Sequence, residues 1–340
     1  MKAGFRHFAA ALAAILLTAG AAQAQSKVTI AIGGGACLCY LPTVLAKQLG
    51  EYDKAGLNVE LVDLKGGSDA LKAVLGGSAD VVSGYFDHTV NLAAKKQEMQ
   101  SFVVYDRYPG LVLAVSPAHT AEIKSIKDLA GKKVGVSAPG SSTDFFLKYQ
   151  LKKNGIDPNN VSVVGVGLGA TAVAAMQQGQ IDAAVMLDPA VTILQAAHAD
   201  LRILSDTRTE HDTREVFGGD YPGGALYATT AWIKAHPNEA LALTKAILGT
   251  LSWIHAHSAE EIADKMPANI VGKDKGQYVA ALENTIPMYS TTGLMDPKGA
   301  DAVLAVFSVG SPDVAKANID VTKTYTNAFV EQAKTAGPAK

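Results

Sequence analysis

Cysteine is nearly missing from this chain: Cys37 and Cys39 are the only two in 340 residues. Two thiols so close together cannot staple a fold the way small secreted domains are stapled, so stability must come from apolar cores. An excess of charge of one sign is also missing, with 30 basic and 32 acidic residues and a formal net charge of −2. No basic tract supplies an electrostatic footprint for nucleic acid, so no DNA or RNA partner is expected. After the first residues, no apolar run reaches the ~20 residues that span a bilayer without a charge or a Gly/Pro break. G-x-S-x-G, P-loop and H-E-x-x-H patterns do not occur, which removes the signatures of several nucleophilic, nucleotide and zinc sites.

The start of the chain carries Lys2 and Arg6, an apolar run from Phe8 to Leu17, then Ala22-Gln23-Ala24. That order predicts a cleavable signal peptide over 1–24. It contains no twin arginine, and no cysteine follows the cleavage site, so the expected product is a free periplasmic protein. The roughly 315 residues that follow are enough for two lobes.

A repeat supports two lobes. At an offset of 102 residues, Gly67, Ala70, Ala73, Gly77 and Asp80 fall on Gly169, Ala172, Ala175, Gly179 and Asp182. Each copy reads as a Gly-opened turn, a short helix, a Gly stop and a β-rich run. A strand precedes each, 59–64 and 161–166, which makes two βαβ units with parallel strands. The opening strands 27–33 and 133–139 also correspond. The predicted fold class is therefore α/β, with lobe one at 25–112 plus 225–340 and lobe two at 113–224. The β-like segments 110–115 and 223–228 are the candidate hinge crossings, and the chain after about 233 reads mostly as helices.

In open α/β sheets, ligands lie beyond the carboxyl ends of the strands, where loops lead into helix N-termini. The stretch Ser137 to Thr143 is the best site signal: small residues at Gly140 let a solute approach, while Ser137, Ser141, Ser142 and Thr143 offer hydroxyls and helix-start N–H groups to an anionic group. Capping of the helix that continues with Phe145 is the competing role for these hydroxyls. Tyr85, Phe86, Tyr105 and Tyr108 are candidates for an apolar or stacking wall, with Arg107 or His88 supplying positive charge. Cys37, Tyr40, Ser68, Asp87 and Asp188 sit in the remaining loops and complete the candidate set.

With these pieces in place, the chain resembles the solute-binding proteins of nitrate, sulfonate and taurine importers, which share a fold with thiamine-pyrimidine precursor synthases. The resemblance rests on 41–52 with 55–60, the Gly77 to Asp80 segment, Ile126 to Val136, and Gly179-Gln180-Ile181-Asp182-Ala183. It implies a type II periplasmic-binding-protein fold, two Rossmann-like lobes joined by a two-segment hinge. It also implies a monomer that delivers a small solute to a membrane permease and its ATPase. Gly35-Ala36-Cys37-Leu38-Cys39 is similar to the Cys-Cys-Cys-Phe-Cys stretch of the synthase branch but keeps only its last two cysteines, which weakens an iron-dependent chemistry.

An enzyme competes with the binder. Cys37 and Cys39 could hold a soft metal or react, but a lone C-x-C lacks four-ligand spacing, and no metal or cofactor is expected. The segment Gly165-Val166-Gly167-Leu168-Gly169-Ala170 fits a loose G-x-G-x-x-A dinucleotide pattern, with Asp188 ending the next strand. A sensor that binds the solute to signal is a third reading. The sequence favours a non-catalytic binder whose solute is a small organic anion, a sulfonate or a carboxylate, with a pyrimidine as the alternative.

Overall fold

The computed structural model describes residues 25–335. The signal peptide predicted for 1–24 lies outside them. The described chain forms two five-stranded mixed sheets with helices packed on both. The first sheet contains β1 (Ser26–Ile32), β2 (Leu57–Asp63), β3 (Val81–Tyr85), β4 (Met99–Val104) and β10 (Gly224–Thr229), in the order β2-β1-β3-β10-β4. The second contains β5 (Val112–Val115), β6 (Lys133–Val136), β7 (Ser162–Gly165), β8 (Ala183–Met186) and β9 (Ile203–Asp206), in the order β7-β6-β8-β5-β9.

The two orders are the same once the repeat is taken into account. β1 pairs in parallel with β2 and β3, and β6 pairs in parallel with β7 and β8. In each sheet the next strand inward, β10 or β5, runs antiparallel to both neighbours. The sequence repeat is the βαβ unit: β2, α3 (Gly67–Leu75) and β3 correspond to β7, α6 (Ala170–Gln177) and β8. Before α3 stand α1 (Leu41–Gln48) and α2 (Glu51–Lys54), and between α3 and α6 lie α4 (Asp87–Ala94) and α5 (Ser142–Lys153). The inner strands β3, β5 and β8 are buried at every residue. Continuous apolar runs of this kind are what strands covered on both faces require.

The chain passes from one sheet to the other twice, at 105–111 and at 207–223. The expected crossings were one step too late. Residues 112–115 and 224–228 are instead fully paired strands, because each returning segment can satisfy its backbone by adding antiparallel to a sheet. The two passages are laced together: Leu111 N–H donates to Thr207 Oγ1 (2.7 Å), Thr207 N–H to the Leu111 carbonyl (2.9 Å), and Gly223 N–H to the Asp106 carbonyl (3.1 Å). A Cβ on Gly224 would lie 2.1 Å from the Tyr105 ring, so only glycine fits this close approach.

After α7 (Ala190–Ala197) and α8 (Glu210–Phe217) the C-terminal third is helical, as its pattern predicts. It runs through α9 (Thr230–Ala235), α10 (Pro237–Ala256), α11 (Ala259–Lys265), α12 (Ala268–Val271), α13 (Lys275–Thr285), α14 (Pro297–Gly310), α15 (Pro312–Lys316) and α16 (Ala328–Thr335). Leu243, Ile247, Leu251 and Ile254 recur every three to four residues and are buried, so α10 presents one apolar stripe to α1, α2 and α16. Helix α14 packs on α5, joining the C-terminal helices to the side of the second sheet. Among the described residues no helix is long and apolar enough to cross a membrane.

Candidate functional site

The loops at the carboxyl ends of the two sheets face each other and touch. A left-handed turn at Gly140 (φ 82°) ends the loop after β6 and sets Ser141 in an extended conformation ahead of α5. Ser141 holds the N-cap position, yet its hydroxyl makes no capping bond within its own helix. It accepts instead from Ser68 N–H at 2.9 Å and lies 3.2 Å from Ser68 Oγ, on the opposite sheet's α3. The capping role expected of these hydroxyls thus yields to a contact across the gap. Ser142 Oγ donates to Asp87 Oδ1 (2.7 Å) at the start of α4, and Tyr221 OH donates to Asp87 Oδ2 (3.2 Å). Thr143 Oγ1 accepts from Ser137 N–H (2.9 Å), which folds the loop back on its own helix.

These contacts enclose a cavity of about 10 Å³, room for about one water. Tyr40 and Tyr85 form its aromatic side, meeting edge to face at 6.2 Å. Ser137, Ser141, Ser142 and Thr143 supply hydroxyls, Leu111, Leu168 and Leu187 the apolar walls, and Gly67 the close backbone. No lysine or arginine is among these lining residues.

Electrostatically the surroundings hold little charge. Burial pushes the Asp87 carboxyl up to about 7, against the pull of its bonds from Ser142, Tyr221 and the His88 backbone. His88 is pushed down to about 4 by burial, with the Gly140 backbone acting weakly the other way, so it stays neutral at pH 7. Its Nδ1 pairs with Tyr227 OH at 2.7 Å, and its buried Nε2 has no hydrogen-bond partner among the described residues. Asp106, also buried, is raised by burial well above the usual carboxylate range; Oδ2 accepts from Gly224 N–H (3.0 Å) and Oδ1 has no partner among the described residues. Burial raises the Tyr85 and Tyr105 phenols as well.

Six residues expected at the site fall elsewhere. Arg107 turns outward to Glu210 (3.1 Å) and the Pro287 carbonyl (2.8 Å). Arg107 is the exposed residue of a bend whose neighbours Asp106 and Tyr108 are buried, so its charge stays in water. Asp188 is a capping group: Oδ1 accepts from Thr192 N–H and Oγ1. Phe86 packs in the core against Tyr325. Cys37 is bonded to Cys39, and both are buried, so neither offers a free thiolate to a metal. Tyr105 and Tyr108 are likewise core residues.

Sequence reasoning held Asp106 only as part of the candidate loop 105–108 and overlooked Tyr221 and Tyr227. Nothing local marks them; Tyr221 meets Asp87 across 134 residues of chain. The G-x-G-x-x-A segment has another use. Its strand β7 is the edge of the second sheet, whereas a dinucleotide fingerprint follows the first, central strand. Gly167 and Gly169 take positive φ, and Gly169 lies where a Cβ would sit 3.6 Å from Ala36, so these glycines bring the loop against the one after β1.

Residues 40–261 match the profile of the family described as NMT1/THI5 like. A solved structure of a Bordetella bronchiseptica RB50 protein is 41% identical, with a TM-score of 0.89 over 92% of this chain and 98% of that one. The periplasmic nitrate-binding protein NrtA from Synechocystis PCC 6803 shares the fold at 16% identity and TM-score 0.66, over 93% of this chain and 90% of that one. A 4-amino-5-hydroxymethyl-2-methylpyrimidine phosphate synthase of Schizosaccharomyces pombe is 24% identical over 172 residues, 49% of this chain and 46% of that protein. The chain spans about half the length of the curated relatives it matches.

Proposed function

Because the chain belongs to the NMT1/THI5-like family, across residues 40–261, we propose that it is an exported solute-binding protein of a membrane importer. In this reading the 1–24 segment directs export to the periplasm, and 25–112 with 225–340 forms one lobe. Residues 113–224 form the other, and the monomer hands its solute to a permease and its ATPase. The observation that carries the reading is the set of direct contacts Ser68–Ser141 and Ser142–Asp87 around one small cavity, made between the loop ends of two sheets. A binder needs the two faces to come together over the solute and needs no nucleophile; closure is a shift of population toward the state that fits the solute better.

For the solute itself, a small uncharged or weakly basic ring, admitted when the contacts across the gap open, is preferred to the organic anion expected from the serine-rich helix start and Arg107. The lining carries no cation, two tyrosine rings flank the cavity, and the adjacent Asp87 carboxyl can receive a ring N–H. The names of the curated relatives, which concern pyrimidine chemistry, agree with this class. The sulfonate or carboxylate reading keeps one observation in its favour: hydroxyls cluster at the start of α5, where helix N–H groups favour negative charge.

Thermal unfolding of residues 25–340 with pyrimidines, sulfonates, nitrate and carboxylates separates the classes. A ligand at a hundredfold excess over its Kd stabilises by about 2.7 kcal/mol. A basic ring should bind more tightly as pH rises through about 7 and Asp87 ionises, whereas an anion should bind less tightly over the same range. Turnover of any ligand in place of simple retention would overturn the binder.

A further inference from the structure

A much larger cavity lies away from the central one and shares no lining residue with it. Its volume is about 350 Å³, within the range of small-ligand pockets. Three separate parts of the chain supply its aromatic walls. Helix α5 contributes Phe145, Phe146 and Tyr149, the returning passage contributes Phe217 and Tyr221, and α14 contributes Phe307.

The aromatic walls are organised in pairs. Phe145 meets Phe307 with ring centroids 4.7 Å apart, and Phe217 stacks on Tyr221 at 4.3 Å with an interplanar angle of 21°. Phe145 and Phe217 remain only partly buried. Aromatic rings facing a space of this size leave apolar surface in water that a flat ligand would cover.

The rim is cationic. Lys148 and Lys152 stand one turn apart on α5 and both border the cavity. Lys148 is bound to Asp144 (2.8 Å), while exposed Lys152 has no ion-pair partner among the described residues. The one acidic residue of the lining, Asp157, already accepts from Asn159 N–H at 3.0 Å. Asn91, also in the lining, adds an amide.

We propose that this pocket is a second ligand site, taking a planar aromatic monoanion whose rings lie among Phe145, Phe217 and Phe307 and whose charged group faces Lys152. The site has its own lining, joined to the surroundings of the central cavity through the Tyr221–Asp87 bond.

The probe is 2-naphthalenesulfonate, titrated calorimetrically into residues 25–340, with 2-naphthalenemethanol as its uncharged counterpart. The expected result is saturable one-to-one binding that weakens with added salt and exceeds that of the alcohol. Lys152→Glu, an exposed change that leaves the core alone, should weaken it about threefold to fivefold, in the range of an exposed charge pair. Phe307→Ala should weaken it tenfold or more, about 1.4 kcal/mol, with circular dichroism checking that the variant folds. Leu168→Ala, in the wall of the central cavity and not in contact with Asp87 or Tyr221, should leave it unchanged. Absence of saturable binding, indifference to both Lys152→Glu and Phe307→Ala, or loss on Leu168→Ala would each overturn the proposal.

Discussion

Asp87 and His88 are neighbours in sequence, both buried, and burial moves their proton affinities in opposite directions. The folded protein keeps a proton on Asp87 up to about 7, whereas the unfolded carboxyl releases it near 3.8. Its contribution to stability is therefore full below about 4 and is lost as pH rises through about 7. His88 behaves in the reverse sense: it stays neutral in the fold down to about 4 while the unfolded ring takes a proton near 6.5, so its contribution grows as pH rises between those values. The two slopes oppose each other from about 4 to 6.5. Asp87→Asn should expose the histidine slope alone, so that stability rises with pH in this window and no longer declines toward 7. Urea unfolding at pH 4.5, 6 and 7.5 checks this; an unchanged pH profile in the variant would remove Asp87 from the account. At this scale the sequence marked Asp87 and the serines through composition and loop position. It placed Asp106 only within a candidate loop, because its role follows from meeting Gly224 N–H 118 residues away.

Helix starts show the same residue type in two roles. Ser258, before α11, forms a capping box: its Oγ accepts from Glu261 N–H (3.2 Å) and Glu261 Oε2 accepts from Ser258 N–H (2.8 Å). Ser141, before α5, gives its hydroxyl to the opposite sheet's loop instead. Ser258→Ala should therefore lower stability by ~1 kcal/mol in denaturant unfolding, the usual loss for a cap. Ser141→Ala should cost less in unfolding and should speed solute release in stopped-flow experiments. Equal losses of stability in the two variants would contradict this division. Element identity was readable from the sequence because turn glycines, helix spacing and β-rich runs are local. The ends of the crossings were not, since whether residues 112–115 and 224–228 bridge two sheets or join one depends on which strand edge is free to accept them.

For the whole molecule, the contact between Ser68 and Ser141 defines closure. Their hydroxyl oxygens lie 3.2 Å apart across the gap. Paired substitution Ser68→Cys and Ser141→Cys should allow an oxidised bridge, the side chains being close enough for that geometry. Oxidation should then slow solute entry and exit together, and reduction should restore both. Unaltered exchange in the fully bridged protein would mean that solute passes without separation of the two faces.

The repeat at an offset of 102 residues, the apolar strands and the helical C-terminal third were properties of the sequence by itself. They determined an α/β fold of two related sheets, because hydrophobic periodicity and turn chemistry act over a few residues at a time. Only the tertiary structure decided which of the loop residues meet. It brought Ser142 to Asp87 over 55 residues and Tyr221 to the same carboxyl over 134, and it turned Arg107 out to Glu210. Such pairings depend on how two separately formed sheets face each other. That arrangement is set by the packing of α14 on α5 and by the laced passages at Leu111 and Thr207. No local pattern encodes a distance between residues that far apart, so the fold could be read along the chain while the site had to be read across it.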